Sequence, residues 1–236
     1  MLHRFLTLVP APASYRDPCD RLPANAHYVR PAVVDTYAER ANGGALLDWP
    51  KAGEGRPTVY FTLGTVFHQE SGDLFTRVLL GVRDLPVNVV VTVGREIDPA
   101  ELGEQPSHVR VERFLPQAGL LPRCDLVVSH AGSGSVIGSL AFGVPSVLLP
   151  MGADQPRNAD RCTDLGVAEV LDASNSTPRQ ISQAVTTVLT DPSYRCAATR
   201  LRDEIRTLPD SEHIARLLER LGRDRAPIMV SNESRP

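Results

Sequence analysis

The sequence predicts an α/β fold, a parallel sheet flanked by helices, and three observations carry that prediction. Short runs that are almost wholly apolar recur at residues 58–63, 87–93, 125–129 and 145–150. Strands buried on both faces read this way, whereas half-exposed strands alternate. Segments with helical spacing lie among them, such as residues 73–85 with Leu74, Val78, Leu79 and Val82 on one face. The stretch 125–159, DLVVSHAGSGSVIGSLAFGVPSVLLPMGADQPRNA, holds a complete βαβ unit: buried strand, glycine-rich turn, helix and second buried strand.

In chain order, residues 1–31 read as a linker-like segment. A strand-like run at 5–9 is followed by Pro10, Pro12, Pro18 and Pro23. The apolar part of residues 1–13 is too short and too proline-broken for a signal peptide. Residues 32–222 form one domain. A polar stretch, 32–56, leads into the strand at 58–63. Residues 110–115 are a strand, and Pro116-Gln117 opens a short helix to about Leu121. Residues 154–165 are a helix, 168–171 a last strand, and 178–189, 192–208 and 210–221 three further helices. Thr177 suits an N-cap before Pro178. The polar residues 223–236 read as a disordered tail.

The 25 basic and 28 acidic residues give a net charge of −3, which argues against nucleic acid as a partner. No apolar run approaches the length of a membrane span. Cys19, Cys124, Cys162 and Cys196 form no C-x-x-C pair and read as free thiols of a reducing, cytoplasmic compartment. No metal-ligand cluster is visible, and neither metal nor cofactor is expected.

The glycine-rich turn points to an anion. The first backbone N–H groups of a helix lack intrahelical partners, and the helix dipole places positive charge there, worth about 0.3–1 kcal/mol and up to about 2 when partly buried. Gly132, Ser133, Gly134 and Ser135 allow a phosphate close to the backbone, and the serines add hydroxyls. His130, ending the strand, offers a further donor, though a structural histidine would sit there equally well. Asp154 and Gln155 follow the next strand and edge the same crevice, where a carboxylate and an amide would hold sugar hydroxyls. Asp154 also suits a plain N-cap. The dinucleotide fingerprint G-x-G-x-x-G is not matched, because Gly138 falls one residue late.

The series His130-Ala131-Gly132-Ser133-Gly134-Ser135, Gly143-Val144-Pro145, Pro150, Gly152-Ala153-Asp154-Gln155 and Asn158-Ala159 resembles the donor motif of nucleotide-sugar glycosyltransferases of the GT-B fold. The bacterial enzymes that glycosylate macrolides, enediynes and similar natural products are the nearest in look, and the resemblance runs from about Thr7 to about Leu221. It implies a Rossmann-like domain, one half of a GT-B fold, that binds a UDP- or dTDP-sugar. It assigns Thr65, His130, Gly132, Ser133, Gly134 and Ser135 to the diphosphate. Phe114, Leu115, Pro116 and Gln117 go to the base, with core packing the other reading for Phe114. Asp154 and Gln155 go to the sugar.

The resemblance further implies inverting transfer to a hydroxyl of a small-molecule acceptor, without a metal. The general base of that family is a histidine near the start of an N-terminal acceptor domain, and no stretch of this chain matches it. His3 lacks the context. The chain looks as if it starts at the interdomain linker, so the acceptor domain is expected on a missing segment or a separate chain. Two departures stand out. Ala131 replaces a common glycine, its methyl either crowding the phosphate or pointing away. Gly138 stands where plant relatives carry a ribose-binding Glu. The alternatives are a non-catalytic nucleotide-sugar binding module and a GT-B-like epimerase.

Overall fold

The computed structural model describes residues 4–34, 55–64 and 72–230. The elements are β1 (Thr7–Val9), β2 (Ala26–Tyr28), β3 (Thr58–Thr62), α1 (Leu74–Val82), β4 (Asn88–Thr92), β5 (Val109–Glu112) and α2 (Gln117–Leu120). They continue with β6 (Leu126–Ser129), α3 (Ser133–Ala141), β7 (Ser146–Leu148), α4 (Gln155–Asp164), β8 (Ala168–Val170), α5 (Pro178–Thr190), α6 (Pro192–Thr207) and α7 (Ser211–Asp224). Six strands form a parallel sheet ordered β5-β4-β3-β6-β7-β8. The apolar runs become its centre: every residue of β3, β4, β6 and β7 is buried, while the edge strands β5 and β8 are partly exposed.

Alternate residues of each strand face opposite layers. Val59, Phe61, Val89, Val91, Leu126 and Val128 pack with Leu74 and Val78 of α1 and Ile181 and Val185 of α5. Tyr60, Val90 and Val127 face the other way, with Leu120 of α2 and Leu121. Further along that side Leu148 meets Val136 and Leu140 of α3, Ala159 of α4 and Leu201 of α6. Helices therefore cover both faces of the sheet, and each central strand is continuous with the core on both sides. The predicted cap holds: Thr177 accepts from the Gln180 N–H and Gln180 returns the bond, closing a capping box at α5. Cys124 and Cys162 are buried free thiols, and burial pushes the Cys162 thiol up to about 12.

Two terminal stretches are more structured than their composition suggests. Within 1–31, β1 and β2 pair in parallel. The segment is fastened to the domain by Arg161, whose guanidinium donates to the Tyr15 carbonyl at 2.9 Å, and by Arg157, 2.6 Å from Asp20. Residues 225–230, expected to be disordered, lie along it instead. The Ile228 N–H donates to the Phe5 carbonyl at 2.9 Å and the Val230 N–H to the Ala24 carbonyl at 3.0 Å. Ile228 is 2 % exposed. The polar count of the tail hid the apolar run 228–230. Residues 231–236 lie outside the described residues.

Ile228→Ala should lower stability by about 2–4 kcal/mol in urea unfolding. A change below about 0.5 kcal/mol would show that the segment is not docked.

Candidate functional site

Strand order turns between β3 and β6. From there β4 and β5 build one side of the sheet and β7 and β8 the other. Connections diverge at such a point and leave a crevice beyond the carboxyl ends of the strands, where open α/β sheets take their ligands. Gly64, two residues past the end of β3, and His130, directly after β6, both lie there.

The imidazole of His130 is 8 % exposed and held between two backbones. A β-carbon added at Gly64 would lie 2.6 Å from its Cε1, and one added at Gly132 would lie 2.4 Å from its Nε2. Both positions must therefore lack a side chain for the ring to sit here. Gly64 also has φ +73°.

Ala131 takes φ 63°, a left-handed conformation that costs a non-glycine residue about 1–2 kcal/mol. Its methyl is fully buried with Val136, Leu140, Leu148 and Ala159, so it points away from the glycine-rich turn. The methyl therefore fills core.

The helix α3 starts at Ser133 with Gly132 as its N-cap, and no side chain caps it. By contrast Thr177, Asp191 and Asp210 each cap their own helix. Ser133 and Gly134 are exposed and Ser135 is half-buried. The first-turn N–H groups of α3 thus form a positive, uncapped end at the crevice.

Asp154 occupies the N-cap position of α4 but makes no cap bond with its side chain. Its Oδ2 instead accepts from Ser133 Oγ at 2.7 Å and from Asn158 Nδ2 at 2.9 Å. Asn158 Nδ2 also donates to the Ala131 carbonyl at 2.9 Å. This small network ties the loop after β7 to the turn after β6. The Ser133 bond, then the Asn158 bond, hold the Asp154 carboxyl below the usual carboxylate range, with a smaller contribution from the nearby His130. Asn158 carries no role in the sequence reading, yet its spacing of four from Asp154 places both on one helical face.

Gln155 turns inward. It is buried, and its Oε1 accepts from the Met151 and Gly152 N–H groups at 2.7 and 3.2 Å. The amide shapes the loop from inside, and Asp154 alone of the pair stands at the surface.

The base group divides in the same way. β5 ends at Glu112, and Phe114 beyond it is 67 % exposed, which removes the core reading. Leu115 points inward and packs with Tyr60, Leu121 and Val127, so its side chain belongs to the core. Pro116 is the N-cap of α2. Gln117 Nε2 donates to the Tyr60 hydroxyl at 3.3 Å, and that hydroxyl lies 2.9 Å from Thr92 Oγ1. A β-carbon at Gly138 of α3 would lie 3.8 Å from Gln117 Oε1, so the two helices face each other across a position without a side chain. Thr65 lies outside the described residues.

Among the described residues no group of three or more His, Cys, Asp or Glu could hold a metal ion, and no helix is long and apolar enough to cross a membrane. A separate groove of about 940 Å³ is lined by Tyr28, Leu208, Leu217 and Ile228, and none of the expected site residues lines it.

The family described as erythromycin biosynthesis protein CIII-like, C-terminal domain, matches residues 76–221, more than half of the chain. The chain belongs to this CIII-like family. It is 33 % identical over 158 residues to demethyllactenocin mycarosyltransferase of Streptomyces fradiae, covering 67 % of this chain and 34 % of that protein. It is 31 % identical over 224 residues to 3-alpha-mycarosylerythronolide B desosaminyl transferase of Saccharopolyspora erythraea, covering 93 % and 50 %. Among solved structures it is similar to the glycosyltransferase VinC in complex with dTDP, with a TM-score of 0.73 and 28 % identity over 92 % of this chain and 52 % of that one. The CIII-like chain thus spans half or less of the length of these two curated relatives.

Gly64→Ala and Gly132→Ala should each cost about 1–3 kcal/mol by forcing the imidazole out of place. Gly134→Ala, with nothing within 4 Å of the added carbon, should be neutral or up to about 1 kcal/mol stabilising. Thermal unfolding of the three variants checks the opposite signs.

Proposed function

We propose that this chain is the donor-binding half of a glycosyltransferase and binds a nucleoside-diphosphate sugar at the turn of the strand order. The observation that carries the reading is the meeting of three chemistries in one crevice. These are the uncapped amino end of α3, the His130 ring between two glycine backbones, and the exposed Asp154 carboxylate. Membership of the CIII-like family supports it.

In this proposal the diphosphate lies on the backbone N–H groups of residues 133–135, with the Ser135 hydroxyl and His130 as further donors. The family resemblance assigns Thr65 to the diphosphate as well. The nucleobase lies against Phe114 and the α2 turn of Pro116 and Gln117, with Tyr60 orienting the Gln117 amide. Asp154 accepts from sugar hydroxyls, while Gln155 holds the loop in shape. The dTDP in the VinC structure favours a dTDP-sugar over a UDP-sugar here.

The reaction is inverting transfer to a hydroxyl of a small natural product. As the bond from the anomeric carbon to the diphosphate breaks, negative charge grows on the leaving oxygen. Preorganised N–H groups and His130 stabilise it without the reorganisation that water would need. The acceptor site and the general base come from an N-terminal acceptor domain, on another segment or another chain. A positioned base contributes about 10²–10⁴-fold, so the chain alone should bind donor yet transfer sugar slowly. The four free cysteines support a reducing, cytoplasmic setting.

Calorimetry with dTDP and UDP tests the reading. Saturable binding is expected, weakened about 10- to 100-fold in His130→Ala, since a hydrogen bond to a charged group contributes about 1.5–3 kcal/mol. Phe114→Ala should cost about 1 kcal/mol, roughly fivefold, if the base stacks on the ring. Full-strength binding in His130→Ala would overturn the assignment.

A further inference from the structure

The Ser133 hydroxyl has a single proton, and the structure shows where it goes. Ser133 Oγ donates to Asp154 Oδ2 at 2.7 Å; Asn158 Nδ2 lies 3.2 Å from Oγ, but its two protons have shorter bonds to the Ala131 carbonyl and Asp154 Oδ2, both at 2.9 Å. A phosphate oxygen needs a donor, and a hydroxyl already donating to a carboxylate has none to give. The carboxylate acceptor is charged, which makes that bond one of the stronger kind. Ser133 therefore faces inward on the network and not outward on an anion, although it sits in the glycine-rich turn.

For Asp154 the consequence is fixed geometry. It is an exposed side chain on the loop after β7, and such a group samples several rotamers unless it is held. Among the described residues both side-chain hydrogen bonds to it fall on Oδ2, one from α3 and one from α4. Oδ1 has no side-chain donor among the described residues, which leaves it acceptor capacity for an incoming hydroxyl.

We propose that Ser133 is a positioning residue for the sugar subsite. It locks Asp154 through Oδ2 so that Oδ1 meets a sugar hydroxyl, and its own hydroxyl takes no part in binding the diphosphate. The proposal rests on the donor-binding reading above. It separates the two halves of the donor: the backbone of the α3 amino end serves the diphosphate, and the Ser133 side chain serves the sugar.

The test compares dTDP with dTDP-glucose on the full chain by calorimetry, in wild type, Ser133→Ala, Ser133→Thr, Asp154→Asn and the double variant Ser133→Ala/Asp154→Asn. Carboxyl-detected NMR of Asp154 follows its titration in parallel. In Ser133→Ala the affinity for dTDP should change less than twofold, and that for dTDP-glucose should fall at least fivefold. Ser133→Thr should restore it, and the double variant should be no weaker than Asp154→Asn alone. The Asp154 titration should move to higher pH in Ser133→Ala, and this decides the case if glucose adds nothing to wild-type affinity. Equal loss for dTDP and dTDP-glucose would make the hydroxyl a diphosphate ligand and overturn the proposal. An Asp154 titration unmoved by Ser133→Ala would overturn it as well. Wild type that binds neither ligand would overturn the donor-binding reading itself, and the proposal with it.

Discussion

Two backbones closing on one imidazole set the geometry of this protein's crevice. His130 stands where β6 ends, and the chain can pass it on both sides only because residues 64 and 132 have no side chains. The neighbouring features follow. Gly132, needed for the close approach, cannot cap α3, so the helix end stays open. Ala131 must turn left-handed to start that helix, and its carbonyl becomes an acceptor for Asn158. Asn158 in turn shares the Asp154 carboxylate with Ser133. The packing of one ring is thus linked, residue by residue, to the placement of a carboxylate on another loop.

The sheet supports this arrangement by being dull. Its central strands are buried throughout and apolar on both faces, apart from a few hydroxyl and amide side chains, of which Thr62, Thr92 and Ser129 bond close by. Tyr60 is one such exception, and its hydroxyl reaches Gln117 at the proposed base side of the crevice. A rigid parallel core fixes the strand ends, and polar residues are concentrated in the loops beyond them.

Much of this was legible in the sequence. The apolar runs gave the strands to within about two residues, because a doubly covered parallel strand has little freedom of composition. The glycine-rich turn announced an open helix end, and Asp154 announced its loop. What the sequence could not show was direction. Leu115 and Phe114 are adjacent apolar residues, and one is core while the other is exposed, because β5 stops three residues earlier than its composition suggests. Asp154 and Gln155 are adjacent polar residues, and the second turns inward to bind backbone N–H groups that the loop would otherwise leave unpaired. Ser133 lies in the glycine-rich turn, and the direction of its hydroxyl, toward Asp154 on another loop, is not written in its position. The tail hid a plainer device: one buried side chain, Ile228, and two backbone hydrogen bonds dock the segment beside the strands of residues 1–31.

The central claim is that the amino end of α3 holds a diphosphate. Titration of the labelled chain with dTDP, followed through its backbone amide resonances, tests it most directly. The account predicts saturable shifts concentrated at residues 132–135, with the His130 ring resonances moving at the same concentrations. Shifts confined to the groove around Tyr28, Leu217 and Ile228, with residues 132–135 unmoved, would contradict it.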